Sequence, residues 1–322
     1  MGCAYACRMA GPVVLRGSGS QVLFFTIWPL FALICLGFVM ARSGFPAPAF
    51  WPAAERMNYF VMFPALLFSS LANAPIRDPE MLRLGGAAIA TILIATLCLT
   101  GARWLRPQPA ARFGPTLQGV IRFNTYLGLA VITSVAGPEG IARAAVYLAV
   151  AVPLVNVLSI MALTDGASGR QFLYLLKAIF RNPLILACLA GIAVALSGIG
   201  LPFGTGAFLG LLAQGSLPLG LLCVGAALQP EMLRRDMPAL ARSSAWRLLC
   251  MPALAFATAI LFGLQGHEAL ILVTFSAVPA APTAYILTRQ LGGDGPLMAG
   301  IITSQTLLAV LSLPVVLYVF GS

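Results

Sequence analysis

The residues able to do chemistry in this chain are few, and most are uncharged. The run Arg122-Phe123-Asn124-Thr125-Tyr126-Leu127-Gly128 sets an amide and two hydroxyls inside apolar sequence. A second run, Ser276-Ala277-Val278-Pro279-Ala280-Ala281-Pro282-Thr283-Ala284-Tyr285, carries two prolines three positions apart. Asn156, Ser159, Thr303, Ser304, Gln305 and Thr306 are further polar groups in apolar surroundings. Asn and Gln side chains offer both donors and an acceptor. Such a set suits reversible, hydrogen-bonded capture of a small polar ligand, although each member could equally bond a neighbouring helix.

Catalysis fits the remaining residues poorly. His267 is the sole histidine, whereas a zinc protease needs a pair and Ser-His chemistry a well-placed base. The nine acidic residues are Glu55, Asp78, Glu80, Glu139, Asp165, Glu231, Asp236, Glu268 and Asp294. All read as loop or helix-end positions, and none cluster as magnesium ligands would. Nor does any read as the intramembrane carboxylate of a proton or sodium exchanger. Glu139 and Asp294 each follow a glycine at a turn into a helix, where the dipole favours an acid. The seven cysteines show no CxxC spacing and behave as small apolar residues. No metal or cofactor is expected.

What positions these groups must be a membrane scaffold. The chain of 322 residues is 60% hydrophobic and 9% charged, with mean hydropathy +0.96. A soluble domain carries roughly a quarter charged residues. Near-continuous apolar runs in lipid imply helices, which pair every backbone group internally. The pattern predicts an all-α protein with helices near 22–41, 58–74, 84–104, 116–136, 140–163, 182–198, 205–228, 239–264, 267–290 and 295–320. An N-terminal tail over 1–21 shows no cleavable leader, since no apolar stretch precedes Val22. A cytoplasmic, amphipathic linker is expected over 164–181.

Net charge of +10 reads as topology rather than nucleic-acid affinity, because no basic stretch interleaves with aromatics. The tail and one set of loops hold five basic residues, among them Arg83 and Arg143. The opposite loops, with adjoining helix ends, hold fourteen, among them Arg42, Arg112, Arg122, Arg242 and Arg247. That bias places both termini outside the cell membrane.

The chain also repeats itself. Pro29, Gly37, Pro48, Pro64 and Ala72 recur 154 positions later as Pro183, Gly191, Pro202, Pro218 and Ala226. The pentapeptide Pro79–Arg83 recurs identically as Pro230–Arg234, and Gly137–Gly140 aligns with Gly292–Gly295. Two five-helix units, 22–163 and 182–322, enter the membrane from opposite sides. Inverted repeats of this kind place the ligand near the midplane, where corresponding helices are broken. The fourth and ninth helices are the candidates: two prolines disrupt the ninth, and at offset 155 Asn124 falls opposite Pro279 and Leu127 opposite Pro282.

The Phe123–Leu129 run, Asn182-Pro183-Leu184, Pro218-Leu219-Gly220, the Ser276–Tyr285 run and Ser304-Gln305 resemble the auxin efflux carrier family. That family includes malonate and malate permeases and is related in fold to bile-acid sodium symporters. The resemblance implies a scaffold of helices 1, 2, 6 and 7 and a transport domain of helices 3–5 and 8–10. It further implies helices four and nine crossing at their breaks, an elevator-like movement of a small organic anion, and a homodimer through the scaffold. Where the family commonly has proline in helix four this chain has Ala130, which implies a softer break there. The expected binding residues are Asn124, Thr125, Tyr126, Gly128, Asn156, Pro279, Pro282 and Gln305. The amides after Pro279 and Pro282 would face the anion, with no basic pair at the midplane. A sodium-coupled symporter and a channel remain alternatives.

The charge bias makes a direct prediction. Single cysteines at Ser20 and Ser168, in a cysteine-free background, should react with an impermeant thiol reagent from opposite sides of the membrane. Labelling of both from one side would contradict the ten-helix topology.

Overall fold

The computed structural model describes residues 19–72, 79–164 and 182–320, with side chains from Thr26 onward. The expected tail is outside these residues except at its last three positions, and the expected linker except at Thr164. Among the described residues the chain is helical, without strands.

In chain order the helices are α1 (Gly19–Arg42), α2 (Phe50–Met57), α3 (Phe63–Ala72), α4 (Pro79–Leu105), α5 (Ala110–Ile121) and α6 (Thr125–Leu163). They continue as α7 (Pro183–Ser197), α8 (Thr205–Ala226), α9 (Met237–Ala245), α10 (Met251–Leu261), α11 (Gly266–Ala277), α12 (Thr283–Gln290) and α13 (Gly295–Phe320). Each of the ten apolar runs contains helix among its described residues, and those over 116–136 and 267–290 are interrupted. Five helical stretches are long and apolar enough to cross a membrane, Pro79–Leu105 and Gly295–Phe320 among them. Two shorter apolar helices are Thr26–Arg42 and Pro183–Ser197.

Proline and glycine set the interruptions. Wide π-turns at Asn58–Met62 and Trp246–Cys250 join α2 to α3 and α9 to α10. Each ends two residues before a proline, Pro64 or Pro252. A helical proline collides with the carbonyl four residues back, here that of Phe60 or Leu248, and the widened turn makes room for it. Gly137, at φ +61°, bends α6 where the sequence pattern separates the fourth and fifth spans.

The structure departs from expectation in two places here. The second helix starts at Phe50 rather than near 58, which puts Glu55 inside a helix instead of in a loop. The break in helix four is complete despite Ala130. Arg122 and Asn124 are extended, with ψ +133° and +100°, and Ala130 continues within α6 beyond the break.

Helix packing concentrates in two sets, which also touch one another through α1 on α13 and α3 on α6. In one, α1 lies on α8, and α3 lies on α7 and α8. In the other, α4 lies on α6 and α10, while α11 lies on α6, α10 and α13. Two close approaches in the first group form a matched pair. A Cβ on Gly37 would stand 2.1 Å from the Leu222 carbonyl oxygen, and one on Gly191 would stand 2.8 Å from that of Phe68. Residues 37 and 191, like 68 and 222, are separated by the 154-residue repeat offset.

Ion pairs gather at the two ends of the bundle. Arg42 pairs with Glu231 and Arg112 with Asp236 at one end. At the other, Arg143 pairs with the buried Glu268 and approaches Glu80.

A Cβ on Gly225 would lie 1.8 Å from the Ile34 carbonyl oxygen, so backbone rather than a movable side chain fills the space. Gly225→Val should separate α1 from α8 and cost more than the roughly 1–3 kcal/mol of ordinary overpacking. Thermal unfolding of the purified variant should show a fall of many degrees, or no folded monodisperse protein at all.

Candidate functional site

The two broken helices meet at their breaks. Residues 122–124 run extended between α5 and α6, and residues 278–282 separate α11 from α12. The Asn124 N–H donates to the Pro279 carbonyl at 2.8 Å. The sequence repeat set these same two residues opposite each other. Paired strand residues usually exchange two such bonds, but Pro279 has no N–H to return.

A break leaves carbonyls without partners at each helix C-terminus. Arg247 satisfies those of both half-helices at once. Its Nη1 donates to Val120 at the end of α5 (2.7 Å). Its Nη2 donates to Phe275 (2.5 Å) and its Nε to Val278 (2.6 Å) at the end of α11. The guanidinium is completely buried. Arg247 stands ten residues beyond the start of α9, about 15 Å along the axis, half the thickness of a ~30 Å hydrocarbon core. The expectation that Arg247 flanks a cytoplasmic loop is therefore corrected. Sequence reasoning missed this residue although the signal existed: an arginine deep inside an apolar span.

Gln305 performs a similar service. Its Oε1 accepts from the Ala280 N–H at 2.9 Å, and its Nε2 donates to the Gly119 carbonyl at 2.9 Å and to Ser243. The amide after Pro279 is thus occupied within the protein rather than open to a ligand. Gly128 is where the Phe275 ring packs, 2.4 Å from the position a Cβ would take. That ring stacks on Tyr147 at 4.7 Å between centroids and meets Phe123 edge-on.

On the other side of the crossing lies a cavity of about 80 Å³. At roughly 10–15 Å³ per water, it suits a handful of waters or one small organic molecule. Asn124, Thr125, Tyr126, Asn156 and Pro282 line it, as expected, whereas Gly128, Pro279 and Gln305 do not. It also takes in Arg122, Thr283, Tyr59, Glu55 and Asn182, which were not among the expected binding residues. One wall comes from α2, α3, α7 and α8, and the other from the two breaks and α6. On the first wall, Glu55, Asn182 and Val224 all lie near the helix ends that carry the arginine-rich loops.

The chemistry of this cavity is that of a donor. Three helices begin at it: α6, capped by Asn124 Oδ1 on the Leu127 N–H at 3.1 Å; α7, capped by Asn182 Oδ1 on the Leu184 N–H at 2.9 Å; and α12 at Thr283. Helix N-termini present partial positive charge. The Arg122 Nη2 donates to the Thr283 hydroxyl at 3.3 Å. The Arg122 Nη1 and the Asn124 Nδ2 are buried without a partner among the described residues. Both are donors, and an unmatched buried donor is costly unless something else fills it. Arg122, read from sequence as flanking a cytoplasmic loop, lies within the break. Arg122 and Arg247 stand at the crossing, where no basic pair was expected, and Glu55 stands in the first two turns of a helix rather than in a loop. Among the described residues no three His, Cys, Asp or Glu side chains gather as metal ligands.

A multi-pass membrane protein with a polar cavity between two helix groups has the form of a transporter, and the comparisons agree. Residues 170–317 match the family described as "Membrane transport protein". The chain is also 26% identical, over 296 residues, to an "Uncharacterized transporter" of Methanothermobacter thermautotrophicus, covering 90% of this chain and 95% of that protein. The auxin efflux carrier family fits the matched segment, and both matches indicate a transporter, not an enzyme.

Removing the Arg247 guanidinium should be felt throughout the crossing. Arg247→Met strands three buried carbonyls, each worth about 1–3 kcal/mol, and should lower stability by at least about 3 kcal/mol. Arg247→Lys retains the charge without the fork and should fall between. Denaturant unfolding of the three proteins checks the order.

Proposed function

We propose that the protein carries a small organic anion across the membrane, binding its carboxylate at the crossing of α5–α6 with α11–α12. The observation that carries this reading is the pair of buried, unpartnered donors, Arg122 Nη1 and Asn124 Nδ2, in a cavity where three helices begin. Charge-assisted hydrogen bonds to a carboxylate would satisfy both. Helix N-termini favour the same ligand charge. Thr125, Tyr126, Asn156 and Thr283 add neutral polar groups, and Phe63 and Phe123 add apolar surface for the rest of the ligand.

Movement follows from where the cavity lies. The scaffold is α1–α3, α7 and α8, and the moving part is α4–α6 with α9–α13. Each contributes one wall, so relative displacement of the groups opens the site alternately to the two sides. The matched contacts at the repeat offset, and the meeting of Asn124 with Pro279, support an inverted repeat related by an in-plane twofold axis. The cavity's place near the arginine-rich ends corresponds to an inward-open state with both termini outside. Coupling to sodium at the crossing carbonyls is disfavoured, because a guanidinium already occupies them.

Purified protein in proteoliposomes, screened with labelled mono- and dicarboxylates, tests the reading. Losing one hydrogen bond to a charged ligand costs roughly 1.5–3 kcal/mol, so Asn124→Ala should weaken binding about ten- to hundredfold. Asn124→Ser keeps a capping oxygen for α6 but lacks the amide donor, and should show most of that loss with normal thermal stability. Arg122→Gln should lose at least as much. If Asn124→Ser and Arg122→Gln fold and transport as the unaltered protein does, the anion binds elsewhere.

A further inference from the structure

The lining of the cavity at the crossing holds two formal charges, the Arg122 guanidinium and the Glu55 carboxylate, on opposite walls. Arg122 stands on the break between α5 and α6, and Glu55 on α2. Neither has an ion-pair partner among the described residues. A ligand with one carboxylate finds its countercharge at Arg122. A second carboxylate finds none, because no other Lys, Arg or His lines the cavity. The start of α7 could attract it as a helix N-terminus. That start, however, shares its wall with Glu55, and its Leu184 N–H is already taken by Asn182. Tyr59, Tyr126 and Asn156 can hydrogen-bond an anion but carry no charge to balance it. An unbalanced buried charge is costly.

The rest of the lining offers hydrocarbon. Phe63 and Phe123 are almost fully buried, and Phe63 meets the Tyr126 ring edge-on at 5.0 Å between centroids. Val152 and Val155, three positions apart on α6, face the same space. Phe63, Thr125, Val152 and Leu184 continue from the cavity into a recess closed by Leu67, Leu148, Ile185 and Cys188. The recess is too narrow for water, and Thr125 supplies its one hydroxyl. Such a dry wall gains from apolar ligand surface and gives a polar group little to bond. At about 10–15 Å³ per water-sized group, the 80 Å³ cavity has room for about five to eight non-hydrogen atoms.

We propose that the ligand is a monocarboxylate with a short hydrocarbon body, and that Glu55 is the residue that excludes a dicarboxylate of the same size. The carboxylate meets Arg122 and Asn124, and the body lies against Phe63, Val152 and Leu184. Glu55 acts as a specificity determinant from the opposite wall, without touching the bound carboxylate. This assignment rests on the anion reading above and narrows it to one chemical class.

Binding of 3-methylbutanoate and of malonate to the purified full-length protein is measured by titration calorimetry, at a pH where both malonate carboxyls are ionised. The two acids are close in shape, an isopropyl group standing where malonate has its second carboxylate. 3-Methylbutanoate should bind at least about thirtyfold more tightly. Glu55→Gln removes the opposing charge and should cut that ratio about tenfold. Val152→Thr puts a hydroxyl on the apolar wall and should cut it about threefold, through weaker binding of 3-methylbutanoate. Arg122→Gln separates this assignment from the reading it rests on. If that variant weakens both acids while malonate binds the unaltered protein as tightly as 3-methylbutanoate, the monocarboxylate assignment alone is overturned. An unchanged ratio in Glu55→Gln, or in Val152→Thr should Glu55→Gln not fold, overturns it in the same way. Unchanged binding of both acids in Arg122→Gln, or no binding of either to the unaltered protein, overturns the anion site and this assignment together.

Discussion

Everything at the centre of this molecule depends on the three hydrogen bonds from Arg247. Two helices stop halfway across a region without water, and each stop exposes backbone groups that lipid cannot satisfy. One planar cation, with donors diverging in a fixed fork, closes both C-terminal ends together. A buried charge is expensive by itself, but here it faces the negative ends of two helix dipoles. The opposite ends are treated differently. There the helices begin, the partial charges are positive, and donors on Arg122 and Asn124 are left over. The protein supplies its own cation to one side of the crossing and leaves the other side short of an anion.

That asymmetry needs a rigid backing. Phe123 belongs to the first break and Phe275 ends the helix leading into the second. They pack together with Tyr147, and the absence of a side chain at Gly128 lets Phe275 approach. Gln305 fixes the second break from behind through Ala280 and ties it to Gly119. The groups facing the cavity therefore stand on segments held from behind by these hydrogen bonds and ring contacts. Unsatisfied donors persist there because the surroundings hold them in place.

Much of this was legible in the residues. The helical, membrane-spanning character followed from the length of the apolar runs, and the two breaks from Pro279, Pro282 and the Asn124 alignment. Five of the eight expected binding residues line the cavity. The other three lie outside it for a common reason. Gly128, Pro279 and Gln305 belong to the crossing, but distance along a helix does not tell which of its two sides a group serves. Arg122 and Arg247 were absorbed into a count of cytoplasmic charge. That count works because lipid excludes charge, so it has no way to signal an arginine paired with broken backbone inside the membrane. Glu55 was hidden by a helix that starts eight residues before the apolar run does, its first two turns being mixed in polarity.

The distribution of charge over the two helix groups gives the cavity its remaining logic. Arg122 rides on the break between α5 and α6, whereas Glu55 is fixed on α2 in the opposing wall. No ion pair joins them among the described residues. Had they been paired, the cavity would be internally neutral and indifferent to ligand charge. Left apart, the cation leaves its helix group with uncompensated charge that is costly to slide past an apolar wall. If, as proposed, an anion binds Arg122 and Asn124 and their helix group moves, the ligand removes that charge from the moving group and leaves Glu55 on the stationary one. On the proposed reading, ligand binding and movement are linked through this single electrostatic term, and the ligand shifts the equilibrium only by its differential interaction with the two states.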